Sequence, residues 1–155
     1  MASRLRLDVE PPAHGWAIVR LSVPGVQVEF PASYTPRDSI DDLARAARGL
    51  LAGVPDFTVI WNTEPDEYEF RFAAAGSRTR LEVHEFTDFQ RQRRYSGRPL
   101  VVVEEDTRTV ARALWRALRR LQGAMSEEEF AASWKHPFPL DIVQRLGDEL
   151  RVQPT

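Results

Sequence analysis

DFTVIWNTEPDEYEFRF, residues 56–72, alternates apolar and polar positions on both sides of a Glu64-Pro65-Asp66 break. Phe57, Val59 and Trp61 share one parity before the break, and Tyr68, Phe70 and Phe72 share one after it. Alternation with period two is the signature of a half-buried strand, and two such runs around a short polar turn make a β-hairpin. Phe57, Trp61, Tyr68, Phe70 and Phe72 then lie on one face. Each aromatic buries about 150–250 Å², so this face is a core wall that the rest of the chain must cover.

Downstream, Thr79–Phe86 continues as a third strand. A loop at Ala75-Gly76 would set Glu69 opposite Glu82 and Arg71 opposite Arg80. A loop at Gly76-Ser77 sets Arg71 opposite Glu82, Phe72 opposite Leu81 and Phe70 opposite Val83. Opposed like charges destabilise a ladder and Gly suits the first turn position, so the second register is expected. Phe89–Gly97, FQRQRRYSG, is a basic, polar loop. Leu100–Val103 is a continuous apolar run, which predicts a strand covered on both faces or lying centrally. Glu104, Glu105 and Asp106 precede the longest helix, Thr107–Gln122, where the helix dipole favours acids. Its core stripe is Val110, Leu114, Ala117, Leu118 and Leu121, with Gly123 as the stop. Ser126 and Glu129 form a capping box for a short helix carrying Phe130 and Trp134. His136-Pro137-Phe138-Pro139 breaks it, and Ile142, Val143, Leu146 and Leu150 mark a last helix.

Upstream, Leu5, Leu7 and Val9 alternate with charged residues until Pro11-Pro12 stops the strand. Trp16–Val23 and Val26–Phe30 pair across Pro24-Gly25, matching Leu21 with Val28 and Val19 with Phe30. Pro-Gly favours a type II turn, which points to a loop looser than a tight hairpin. Pro31 and Pro36 bracket a short connection. A helix then starts at Asp38 or Ser39, with Ser39 and Asp42 as a weak capping box, and ends at Gly53 and Pro55. The order predicts an α+β fold: an antiparallel sheet of about six or seven strands, helices mainly on one face, and a helical C-terminal half.

The 155 residues suit a single domain, 1–155, with 43% hydrophobic and 28% charged content typical of a globular protein. A net charge of −2 argues against a general nucleic-acid binder. With no cysteine, disulfides, thiolate metal sites and a cysteine nucleophile are excluded. MASRLRLDVE has no signal-peptide apolar core, and no run reaches the ~20 apolar residues of a spanning helix. A cytoplasmic protein without a membrane anchor is therefore expected.

The residues give no catalytic, metal or cofactor assignment. His14, His84 and His136 lack H-E-x-x-H or similar spacing and read as turn, strand and helix-stop residues. No serine lies in G-x-S-x-G, and no phosphate-cradling glycine loop is present. Glu64, Asp66, Glu67 and Glu69 decorate the hairpin, and Glu127, Glu128 and Glu129 fill a first helical turn. Arginines carry more information. Arg108, Arg112, Arg116 and Arg120 form an i,i+4 row opposite the apolar stripe, with Arg119 beside it. Each like-charged neighbour costs ~0.2–0.5 kcal/mol in an isolated helix, so the row calls for counter-charges. Acids elsewhere in the chain, at Glu127–Glu129 or Asp148–Glu149, are one source. An acidic partner is the other, with Arg91, Arg93, Arg94 and Tyr95 as a second part of the same surface or an independent contact.

His14-Gly15-Trp16, Ser33-Tyr34, Glu64-Pro65-Asp66-Glu67-Tyr68 and Trp134-Lys135-His136-Pro137-Phe138-Pro139 together give the chain a resemblance to small bacterial immunity-type proteins. That resemblance implies a non-enzymatic partner, a cognate toxin domain that the protein binds and neutralises. It assigns no contact residue. Two further readings stand beside it: a nucleic-acid-associated or regulatory module using the arginine row, and a small-molecule-binding domain or enzyme with a cavity between sheet and helices.

Overall fold

The structure, a computed structural model, describes residues 4–87 and 99–152. Its strands are β1 (Arg6–Val9), β2 (Trp16–Val23), β3 (Val26–Ser33), β4 (Asp56–Asn62), β5 (Glu67–Ala75), β6 (Arg78–Phe86) and β7 (Val101–Asp106). Its helices are α1 (Ser39–Leu51), α2 (Thr107–Ala124), α3 (Glu127–Trp134) and α4 (Leu140–Arg151). The seven strands form one antiparallel sheet in chain order, β1 to β7. The architecture is α+β, as the alternation and helical stripes predict.

The Asp56–Phe72 hairpin sits at the centre of this sheet. Phe57 faces Phe72, Val59 faces Phe70, and Trp61 faces Tyr68 across the ladder. Val59, Trp61, Phe70 and Phe72 are fully buried, and the Trp61 and Phe70 rings meet edge-on at 5.6 Å. Apolar residues of one parity on every other strand continue this wall: Leu7, Val19, Leu21, Phe30, Leu81, Val83 and Val101. The helices cover that face with Ile40 and Leu43 of α1, Val110, Leu114 and Leu118 of α2, and Val143 and Leu146 of α4.

Registers follow the sequence argument closely. Arg71 lies opposite Glu82 and Phe72 opposite Leu81, with Gly76 at φ +66° in the turn. The side chains nevertheless choose other partners. Arg71 bonds Glu69 at 2.9 Å, while Glu82 takes Arg80 at 2.7 Å and His84 at 2.8 Å.

Other local expectations are corrected. Val23 stands opposite Val26, so Pro24-Gly25 makes a tight two-residue loop, with Gly25 at φ +83°. Pro31 lies inside β3, opposite Ile18. Its missing N–H is tolerated because β3 joins β4 at one pair only, Ser33 opposite Asn62. Asp38 caps α1, accepting from the Asp41 N–H. Ser39 is turned away to donate to the Ile60 carbonyl of β4. Asp106 caps α2, which passes through Gly123 to Ala124 because an exposed glycine costs a helix only about 1 kcal/mol. β7 is an edge strand, not a central one. Its Val101 is buried, but Val102 is 44% exposed.

The β3–β4 junction is a seam between a three-stranded and a four-stranded part of the sheet. Phe30 closes it by stacking on Tyr68, with ring centroids 4.2 Å apart. No helix among the described residues is long and apolar enough to cross a membrane.

Candidate functional site

The arginine row of α2 does not act as one unit. Arg108, at one end, donates to the Leu150 and Val152 carbonyls, each at 2.9 Å, and more distantly to Glu149. These carbonyls lie at the C-terminal end of α4, where helix carbonyls run out of intrahelical donors and only Glu149 also accepts from the Val152 N–H, so Arg108 serves as the C-terminal cap. Arg120, at the other end, reaches Asp8 at 3.1 Å and the Leu7 carbonyl at 2.6 Å, tying α2 to edge strand β1. Burial pushes the Asp8 carboxyl up, but hydrogen bonds and charge from Arg6 and Arg120 outweigh it and hold it below the usual range. Among the described residues Arg119 bonds only the neutral Gln122 side chain.

Arg112 and Arg116, between the two ends, make no hydrogen bond or ion pair among the described residues. Arg116 is exposed and Arg112 half-buried. Of the acids that the sequence offers as internal counter-charges, Glu149 pairs with Arg48 at 2.7 Å, Asp148 pairs with Arg151, Glu129 closes the cap of α3, and Glu127 and Glu128 make no ion pair with the row among the described residues. The loop residues Arg91, Arg93, Arg94 and Tyr95 lie outside the described residues.

The motifs behind the family resemblance do converge. Gly15 donates to the Ser133 carbonyl at 2.7 Å, and Tyr34 donates to the Gly15 carbonyl at 3.0 Å. His136 Nε2 donates to the Tyr34 carbonyl at 3.0 Å, and Trp134 Nε1 to Asp38 at 2.9 Å. Thr35 precedes a cis proline, Pro36. Its carbonyl accepts from Asn62 Nδ2 at 2.6 Å, and its hydroxyl meets Glu64 at 3.3 Å. Glu64-Pro65 is cis as well. Four separated stretches thus make one hydrogen-bonded junction that fixes α3, the base of the β2–β3 hairpin and the β4–β5 turn together. Most of these bonds engage a backbone group, with Trp134–Asp38 and Thr35–Glu64 as side-chain pairs, and this is a scaffold's bonding pattern.

Each histidine has a positional role. His14 occupies a turn at φ +54° and His136 locks the junction. His84 is buried on the sheet face away from the helices, bonded through Nε2 to Glu82, with Nδ1 unpartnered among the described residues. The Arg80 hydrogen bond, aided by His84, holds the Glu82 carboxyl below the usual carboxylate range. Glu69 sits directly opposite His84, and the Arg71 guanidinium lies 5.6 Å over the Phe86 ring. In the sequence His84 and Glu82 share one strand face and carry no metal or catalytic spacing. The region's only signal is a run of polar residues at outward positions in two central strands.

On the core side, Tyr68 donates its hydroxyl to Glu85 at 2.8 Å. Burial and then that bond push its pKa up to about 12.

No family model matches the sequence, and no curated protein matches it. Among solved structures, a chain of the CdiA-CT/CdiI toxin and immunity complex from Enterobacter cloacae is similar at a TM-score of 0.47 and 7% identity. The similarity covers 77% of this chain and 99% of that one.

Proposed function

We propose that this chain is a non-enzymatic binding protein of the immunity type, which holds a cognate toxin domain through the exposed face of α2. The observation that carries the reading is the pair Arg112 and Arg116. Like charges one turn apart cost a helix ~0.2–0.5 kcal/mol. Arg108 and Arg120 recover that cost as staples to α4 and β1. Arg112 and Arg116 recover nothing among the described residues, and an acidic partner would supply their counter-charges. The resemblance of the junction motifs to immunity-type proteins supports the same reading, with the junction as scaffold and α2 as the presented surface.

The test is association with the polypeptide encoded beside this chain's gene. Arg112→Glu with Arg116→Glu leaves folding intact, because neither side chain faces the core and both replacements are good helix formers. The double variant should associate more slowly, and the difference should shrink as salt is raised, since such charges act mainly on encounter rate. Duplex DNA is measured in parallel. Binding to DNA with a steep salt dependence, and no complex with the polypeptide, would favour the nucleic-acid reading instead.

A further inference from the structure

We infer that the groove between α2 and α4 receives an acidic segment of a protein partner, anchored by one apolar side chain set against Trp115. The inference deepens the binding reading above and rests on it for the identity of the partner.

Trp115 is the starting point. At about 100° per residue it falls on the arginine side of α2, in one stripe with Arg112 and Arg119, and away from the Val110–Leu114–Leu121 core stripe. In that position Trp115 is half-buried and packs against the margin of the core, not in its interior. Its ring instead forms one wall of a groove of about 240 Å³, whose other side is α4, with Leu140, Val143 and Gly147 as the apolar part. Gly147 has a specific role there. A Cβ at that position would stand 2.9 Å from Trp115 Nε1, so the absence of a side chain lets α4 close on the indole and fix its orientation. The fixed ring has its N–H buried without an acceptor among the described residues, a placement that costs hydrogen bonding.

Size and charge define the occupant. The groove is smaller than the roughly 300–1,000 Å³ typical of small-molecule pockets, so it suits a side chain more than a whole ligand. Arg119 and Arg151 stand on its rim, and Arg112 and Arg116 continue the positive surface along α2. Asp148, paired with Arg151, is the one acid lining the groove among the described residues. A partner segment complementary to this surface carries carboxylates around a leucine- or phenylalanine-like residue. Trp and Arg are also the residue types that dominate interface energetics, and a ring already clamped loses little freedom on binding.

The experiment uses the whole protein, ¹⁵N-labelled at its four tryptophan indoles, titrated with the peptide acetyl-Asp-Glu-Asp-Leu-Asp-Glu-amide. The Trp115 indole resonance should move, while those of the fully buried Trp61 and Trp134 stay in place. Replacing leucine by glycine in the peptide, or the acids by lysine, should abolish the shift. Arg119→Glu with Arg151→Glu, both on exposed side chains, should weaken binding about tenfold or more. Gly147→Ala, which presses a methyl on the indole, should weaken it without changing charge. If Gly147→Ala unfolds the protein, the charge variant still decides. A Trp115 resonance unmoved by the acidic peptide, moved equally by the lysine peptide, or indifferent to the charge reversal overturns the inference. The peptide assay needs no toxin. Peptide binding without neutralisation therefore strikes only the immunity reading, and neutralisation indifferent to Arg119 and Arg151 strikes only the groove.

Discussion

Gly15 and Gly25 share one backbone conformation, φ +83°, but differ in their surroundings. That pair allows the junction to be weighed. A Cβ at Gly25 meets nothing within 4 Å, whereas at Gly15 it would stand 2.6 Å from Tyr34 Cδ1 and 2.8 Å from Cε1. A left-handed conformation costs a residue with a Cβ about 1–2 kcal/mol, so Gly25→Ala should destabilise by about that much. Gly15→Ala carries the same backbone cost plus the displacement of the Tyr34 ring. Tyr34 cannot yield freely, because its N–H bonds the Gly15 carbonyl and its carbonyl holds His136. Overpacking of this kind costs about 1–3 kcal/mol, for a total of about 2–5 kcal/mol. The entropy that alanine removes from the unfolded chain is similar at both sites and cancels in the comparison. For a chain of this length 1 kcal/mol moves Tm by about 2–4 °C. Gly15→Ala should therefore melt about 2–12 °C below Gly25→Ala. Thermal unfolding followed by circular dichroism, with urea titration as a check, measures the difference. Equal melting of the two variants would refute the claim that the junction is a tightly packed scaffold.

Trp61 is fully buried against Phe30 and Phe70, so Trp61→Ala should cost about 3–5 kcal/mol in urea unfolding; an unchanged midpoint would remove the central hairpin from the core. Tyr68, pushed up to about 12, should ionise late in a spectrophotometric titration, and Tyr68→Phe should delete that late step. The sign follows: a group raised in the folded state contributes stability in full below its unfolded pKa, near 10. That contribution is lost as pH rises from there through about 12.

The central hairpin and the β2–β3 and β5–β6 registers were legible because period two fixes which face is buried, and a slip by one residue would expose Trp61 and Phe70. Element ends were less legible because they depend on local competition. Asp38 took the cap that Ser39 also offered, since Ser39 found the Ile60 carbonyl on β4, a contact invisible in one dimension. The run Leu100–Val103 reads alike for an edge and a central strand, and only the ladder order separates them. In the arginine row, spacing revealed the row but not its division of labour, because the partners of Arg108 and Arg120 lie 41 or more residues away in sequence. Two signals were present and unread: Trp115 off the apolar stripe of α2, and Gly147 in the middle of an otherwise regular helix.

The central claim, that this chain neutralises a toxin domain by binding it, is tested most directly by growth. The polypeptide encoded beside this gene is induced in a bacterial host with and without this chain. The account predicts arrest on induction, relief of arrest when the wild-type chain is present, and weaker relief by Arg112→Glu/Arg116→Glu at equal protein level. Persistent arrest in the presence of soluble wild-type chain, or a neighbouring polypeptide without effect on growth, would contradict it.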